Sequence, residues 1–453
     1  MRRIWTAVAA MAFGATMVTA APAVAQTSSS PVTMTTLSPA SITDVQGSHD
    51  GDVSTLATRE EHGTQDDPST YVRFHGDGAR YDGRLMFSLP PSIDAATITT
   101  ITMTANFRGP AAGVNPWTFS ILDPTADAWT TIGAQWHCGE DGGTEQWPCD
   151  DLQRAPWKSI QDNVIVSGDT TLPSFVDASG QLVIRLHAAE PGTAKLDQIS
   201  LEVFSNDGSV SAALWTPPLG IRWQWQIEGR AGQHPATGGI AVGICEPPFG
   251  GGDCVRPEVF DIDLYVDPQI AGRYGWVRET AAVEAIHASG RHVIGYVTQG
   301  DAERWRPDYE QFVAFDEACR GCLLGNPFSK RFPDEYWANF SGHRRMNFML
   351  QMMRARTDRV AATGFDGIEY DIADTYANGD APGFHVTADE QLAYNRAMAE
   401  MAHEDGLAVA LKNDGGQIPD LVSSYDLAIN EQCFQYSECD VYRPFLDAGK
   451  PVL

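Results

Sequence analysis

Between residues 222 and 439, five short runs of alternating apolar residues each end in carboxylates or amides. They are RWQWQ (222–226), FDIDLYV (260–266), GFDGIEYDIAD (364–374), LAVALKND (407–414) and AINEQCFQYSEC (428–439). Each reads as a β-strand that starts apolar and ends polar. Strands and helix-like runs alternate from Trp215 onward, which is the pattern of an α/β fold with a parallel sheet. When parallel strands close into a barrel wrapped by helices, their C-terminal ends share one face, and chemistry collects there. Seven strands are expected near 221–227, 259–266, 292–299, 365–371, 407–413, 425–431 and 450–453. An eight-stranded barrel needs more chain after the seventh, so the expected fold is a TIM-type (β/α)8 barrel truncated at its C-terminus.

The residues before 206 differ in kind. Short runs rich in Thr, Val, Ile and Phe, such as GRLMFSL (83–89), TITTITMTANF (97–107) and QLVIRLHA (181–188), alternate with period two between Gly, Pro, Asp and Ser. That pattern predicts an antiparallel β-sandwich. The expected organisation is therefore multidomain: a signal peptide over 1–25, a sandwich over 31–206, a linker over 207–213 and a barrel over 214–453, incomplete after strand seven. Arg2 and Arg3, the Ala-rich apolar run and the triplet Ala23-Val24-Ala25 carry the signal-peptide reading, and with it a secreted, extracellular location.

Eight cysteines fall in four close pairs: Cys138/Cys149, Cys245/Cys254, Cys319/Cys322 and Cys433/Cys439. Pairing in sequence order closes four short loops and suits an exported protein. Cys319-Arg320-Gly321-Cys322 could also be half of a metal or redox site, but no second CxxC or His pair completes it. No metal and no cofactor is expected. The formal charge of −28 argues against nucleic acid and anionic membranes as partners. It would favour a cationic polysaccharide, and acidity also serves simply to keep a secreted protein soluble.

Alternation places Glu369 and Asp371 on one strand face, with Asp374 in the loop beyond. Asp261 and Asp263 share a face opposite Phe260, Ile262 and Leu264. Lys412 shares a face with Ala408 and Ala410, beside Asn413 and Asp414, and Glu431 ends the sixth strand. Carboxyls gathered at one rim suit glycoside hydrolysis, in which one acts as acid/base and another as nucleophile or base. Trp223, Gln224, Tyr296 and Tyr436 are further candidates for holding a sugar. Two other readings compete. Lys412 as a Schiff-base lysine would make a lyase, although the surrounding acids should keep it charged. A non-catalytic glycan-binding protein is the other. Thr387 and Glu390 form a capping box that opens a helix, and the Met346, Met349, Leu350, Met353, Val360 stripe reads as core.

In order and spacing, WQWQ (223–226), DIDL (261–264), Arg306-Pro307-Asp308, DGIEYD (366–371), LKND (411–414) and NEQCFQY (430–436) resemble glycoside hydrolase family 114, the endo-α-1,4-polygalactosaminidases. The resemblance covers roughly 215–453. It implies a barrel-fold retaining hydrolase of α-1,4-linked galactosamine polymers, with Asp371 as nucleophile, Glu431 as acid/base and Glu369 as the rival nucleophile. Two positions depart from the family pattern: Tyr370 stands where Pro is usual, and Thr298-Gln299-Gly300 replaces a Ser-Ala-Gly turn. The closing KLDQISLEVF (195–204) of the front domain looks like the last strand of jelly-roll carbohydrate-binding modules, so the sandwich is expected to be jelly-roll-like. Trp117, Trp129, Trp136, Trp147 and Trp157 are its candidate stacking residues, and a structural spacer is the competing reading of this domain.

Overall fold

The computed structural model describes residues 31–62, 64–76, 78, 80–109, 117–134, 157–208, 214–245, 256–266 and 277–453. The front half is built from strands β1 (Val32–Leu37), β2 (Ser41–Gln46), β3 (Ser48–Asp50), β4 (Val72–His75), β5 (Tyr81–Ser88), β6 (Ile98–Arg108), β7 (Trp117–Asp123), β8 (Ala128–Ala134), β9 (Lys158–Asn163), β10 (Gln181–Ala188) and β11 (Thr193–Asn206). They form two antiparallel sheets, one in the order β3-β4-β11-β6-β9 with β1 also on β11, the other in the order β2-β5-β10-β7-β8. Phe74, Leu85, Phe87, Ile101, Met103, Phe119, Ile121 and Ile184 fill one core between them. In the second sheet β5 and β10 alternate strictly between buried and open residues, as a sheet with one wet face must. In the first sheet β6 and β11 are buried on nearly every residue. Their outer face is covered as well.

The cover comes from the second half. Its strands β12 (Trp223–Trp225), β13 (Val259–Asp263), β14 (His292–Thr298), β18 (Gly367–Asp371), β19 (Ala408–Lys412) and β20 (Leu427–Ile429) pair in parallel and in chain order. All six lie within runs expected from the sequence. Val452, in the seventh expected run, makes one parallel bridge to Ala428. A small antiparallel sheet of β15 (Asp301–Glu303), β16 (Leu324–Pro327) and β17 (Glu335–Ala338) is inserted after β14. The helices are α1 (Thr280–Ala288), α2 (Tyr309–Ala318), α3 (His343–Thr363), α4 (Ala388–Glu404), α5 (Ile418–Leu421), α6 (Cys433–Tyr436) and α7 (Arg443–Asp447). The Thr387–Glu390 capping box opens α4, and Gly406, at φ +75°, follows its end. Met349, Met353 and Val360 of α3 are core residues.

The parallel sheet is curled. Lys412 of β19 and Trp225 of β12 stand four strand spacings apart, about 19 Å across a flat sheet. Yet Lys412 Nζ lies 5.5 Å from the Trp225 ring centroid. The inner face also closes at its floor, where Trp223, Val259, Ile294, Ala410 and Leu427 join one cluster with Trp215 and Leu453.

Helix α3 joins the two halves. Phe204 and Val32 of the front half belong to the same apolar cluster as Met349, Met352 and Phe348. Around them lies a polar seam. Arg359 donates to Thr102 Oγ1 at 2.6 Å and to Asn163 Oδ1 at 3.1 Å. Thr99 Oγ1 donates to Asp358 at 2.8 Å. Gln311 and Gln351 each bond both ways to the front-half backbone, at Asn163 and at Val166. The predicted sugar-stacking role of two tryptophans does not survive this packing. Trp117 points inward onto Tyr81, and Trp157 is buried against Tyr71 with its N–H on the Gln65 carbonyl. Trp136 and Trp147 lie outside the described residues; Trp129 is half-buried on the open sheet, with Arg84 and Arg185 over its ring.

The seam makes the halves interdependent. Arg359→Ala leaves Thr102 Oγ1, which itself donates to Asn163 Oδ1, without its buried donor, which costs about 1–3 kcal/mol. Urea denaturation followed by tryptophan fluorescence should show a lower midpoint, and an unchanged midpoint would remove the seam from the stability of the fold.

Candidate active site

The polar strand ends meet inside the curl. Alternation sends Asp261 and Asp263 of β13, Tyr296 of β14, Glu369 and Asp371 of β18 and Lys412 of β19 to the inner face, above the apolar floor. Ala408 and Ala410 leave room on their strand for the lysine stem. Lys412 is the hub. Its Nζ lies 2.7 Å from Glu369 Oε1, 3.1 Å from Asp371 Oδ1 and 4.0 Å from Glu431 Oε2. Burial would lower the lysine pKa, but the charges of Glu369 and Asp371 outweigh it and hold the ammonium well above its ordinary range. A lysine so held is a poor amine nucleophile, which weighs against the Schiff-base reading.

The carboxyls are graded in access. Glu369 is sealed, with its side chain 0% exposed, whereas the side chains of Asp371 and Glu431 are 23% and 49% exposed. Asp371 receives the Tyr296 hydroxyl at 2.7 Å on Oδ2 and the Ile372 N–H at 2.9 Å on Oδ1. Burial pushes the Asp371 carboxyl up, but Lys412, the Tyr296 hydroxyl and the Ile372 N–H together hold it below the usual carboxylate range. The Glu431 N–H is anchored on Asn413 Oδ1 at 2.9 Å. The Cys433–Cys439 disulfide closes the loop that follows.

Three of these strand ends turn through left-handed backbone. Ile372 follows Asp371 at φ +60°, Asn413 and Asp414 follow Lys412 at φ +51° and +46°, and Gln432 follows Glu431 at φ +75°. For Asn and Asp this conformation is tolerable; for the β-branched Ile372 it is strained, and such strain gathers at functional sites.

Other predicted residues fall elsewhere. Asp263 is taken by Arg306 in a two-pronged pair at 2.6 and 2.7 Å. Asp261 is fully buried. Asp414 accepts from Tyr376 and from Asn395, and burial pushes its carboxyl up to about 8. Asp374 is raised too, by burial and then by Asp371. Trp223 joins the floor, while Gln224 lies on the opposite strand face. Tyr436 is exposed. Tyr370 faces the helices, with its hydroxyl 2.6 Å from Thr357 Oγ1, so this departure from the family pattern sits behind the rim and outside the pocket. The Cys319–Cys322 bridge forms as expected. Cys245 is disulfide-bonded; Cys138, Cys149 and Cys254 lie outside the described residues.

Sequence reasoning missed Asn395, a buried hub that donates to the Ala373 carbonyl and Asp414 and accepts from Gln299. The available signal was a polar residue three positions from both Leu392 and Met398 on an apolar helix stripe. It also missed why Gly300 ends the third strand. A Cβ there would stand 2.4 Å from Ile372 Cγ2 and 2.5 Å from the Ile372 carbonyl oxygen. Gly300→Ala must displace Ile372, whose N–H aims Asp371. Misplacing a reacting group by an ångström can cost about 10² in rate. Turnover should fall by that order while circular dichroism stays unchanged; wild-type turnover would show that Asp371 is aimed without Ile372.

Among the described residues no group of His, Cys, Asp and Glu is arranged to hold a metal, and no helix is long and apolar enough to cross a membrane. A model of glycoside-hydrolase family GH114 matches residues 205–453, more than half of the chain. A second, for the N-terminal glycosyl-hydrolase-114-associated domain, matches residues 56–200. No curated protein matches. Among solved structures, Ega3 of Aspergillus fumigatus in complex with galactosamine is 29% identical, covers 54% of this chain and 79% of its own, and has a TM-score of 0.41. The glycoside hydrolase domain of PelA from Pseudomonas aeruginosa is 12% identical over 52% of this chain and 83% of its own, with a TM-score of 0.31. The chain belongs to glycoside-hydrolase family GH114 and is a glycoside hydrolase.

Proposed function

We propose that this hydrolase is a secreted, retaining endo-glycosidase of α-1,4-linked galactosamine polymers, with Asp371 as nucleophile and Glu431 as acid/base. One observation carries the roles: a single ammonium, Lys412 Nζ, touches both groups. That common contact keeps Asp371 Oδ1 and Glu431 Oε2 within about 7 Å of each other, which favours the retaining separation of roughly 5–5.5 Å over most of the wider inverting range. Asp371, ionised and partly open, attacks the anomeric carbon while Glu431 gives its proton to the departing glycosidic oxygen. The Glu431 carboxylate then takes a proton from water, and that water displaces Asp371 from the sugar. Glu369, sealed beneath Lys412, is the weaker nucleophile candidate on access alone.

The substrate reading rests on the motifs and on charge. At the open rim Asp371, Asp374 and Glu431 face the single base Lys412, a balance suited to a polymer carrying free amines. Trp225, exposed beside Lys412, and the exposed Tyr436 are the candidates for stacking on sugar rings. The wider assignment follows the sequence: a signal peptide over 1–25, a jelly-roll-like carbohydrate-binding sandwich over 31–206, a linker over 207–213, and a (β/α)8 barrel from 214. The disulfides at Cys319–Cys322 and Cys433–Cys439 support export.

The test is reducing-end release from partly N-deacetylated galactosamine polymer, with the anomeric configuration of the first product read by NMR. Binding without release would favour a non-catalytic glycan-binding protein. Glu431→Gln should fold normally and lose about 10² to 10⁴ in rate; near-full activity would remove Glu431 from the mechanism. Lys412→Met takes away the largest influence that holds Asp371 below its ordinary range and leaves the burial that raises it. The acidic limb of kcat/KM should therefore move to higher pH. A limb that stays in place would mean that Asp371 is not the ionised group the reaction needs.

A further inference from the structure

Beneath Lys412 lies a second carboxyl pair, three of whose four oxygens meet no donor. Asp261 sits on the inner face of β13, is 0% exposed, and neither of its carboxyl oxygens meets a donor. Glu369, equally sealed, accepts from Lys412 Nζ on Oε1, and its Oε2 meets no donor. The two carboxyls are within hydrogen-bonding reach of one another. A proton shared by the two carboxyls would turn one of these three acceptor oxygens into a donor and give a second its partner.

We propose that Asp261 carries that proton and is a positioning residue: its O–H donates to Glu369 Oε2 and fixes the carboxylate that holds Lys412. This rests on the reading of Lys412, Asp371 and Glu431 as the reacting set. The proton belongs on Asp261 because Glu369 is paired with the Lys412 ammonium at 2.7 Å, while no cation touches Asp261. Burial first, and the charge of Glu369 after it, push the Asp261 carboxyl well above its ordinary range; the charge of Lys412 opposes this only in part, and Asp371 adds to the rise. Tyr296, the titratable group beside them on β14, is spent on Asp371.

The arrangement has a consequence for charge. With Asp261 neutral, the ammonium answers Glu369 below and Asp371 above. An ionised Asp261 would add a third negative group beneath it and draw Lys412 away from the rim. Asp261 never touches the sugar, so it acts on the reaction only through Glu369 and Lys412.

Asp261→Asn keeps the shape and can donate from its amide to Glu369 Oε2. It should retain kcat within about threefold and leave the pH profile unchanged. Asp261→Leu fills the space without a donor, and should lower kcat by more than about tenfold with little change in KM, provided circular dichroism shows a native fold. The decisive readout does not depend on substrate or on Asp261→Leu folding. The infrared difference between full-length wild type and Asp261→Asn at neutral pH should contain the C=O stretch of a protonated carboxyl, present only in the wild type. If no galactosamine polymer is cut, the substrate reading fails and the infrared result still decides this one. Absence of that stretch overturns the proposal, and so does a folded Asp261→Asn as inactive as Asp371→Asn.

Discussion

Everything in the second half is arranged around an ammonium that water scarcely reaches. A buried charge is tolerable only with close partners of opposite sign, and Lys412 draws these from its neighbouring strand and from the loop beyond β20. Glu369 and Asp371 can reach it because their strands lie side by side; Trp225 can reach it because the sheet curls until its first strand returns towards the fifth. The alanines below it and the apolar floor of Val259, Ile294 and Leu427 leave the lysine stem a channel and give the head group nowhere to go but up. Replacing Glu369 or Asp371 would leave the ammonium without a counterpart.

The same economy appears at the rim. A strand that continued past Asp371 or Lys412 would carry its next polar group outward, because alternation is strict. A left-handed residue at Ile372, Asn413 and Gln432 breaks that alternation just after Asp371, Lys412 and Glu431. Gly300 makes the space for one of these turns, and Asn413 uses its side chain to anchor the backbone of Glu431. Strain in the backbone thus gathers at the edge of the pocket, above a paired sheet that can hold it.

Much of this was legible in the sequence. The six strand ends, their inward faces, the α4 capping box and two disulfides all follow from local rules of period, turn chemistry and spacing. What escaped was non-local. Nothing near Asp263 tells that Arg306, from an inserted segment, will close on it and withdraw it from the sugar. Nothing near Arg359 tells that Thr102 and Asn163 will receive it, for they lie 257 and 196 residues away along the chain. Asn395 broke an apolar stripe and was overlooked because a single polar residue on a helix is unremarkable until its neighbours are known. Trp117 and Trp157 misled for the opposite reason: a large aromatic suits a core and a sugar platform equally, and only the packing tells them apart.

The docking of the sandwich on α3 changes what its open sheet can contribute. A module on a flexible leash enriches its target in a sphere around the enzyme, and the gain depends on leash length. Here Phe204, Val32, Arg359 and the two glutamine clamps fix the front half against the hydrolase half, so the open sheet with Trp129, Arg84 and Arg185 keeps one bearing from the pocket. A long chain that lay on both would have to follow a set course between them. The distance along that course, counted in sugar units, would then act as a ruler built into the fold.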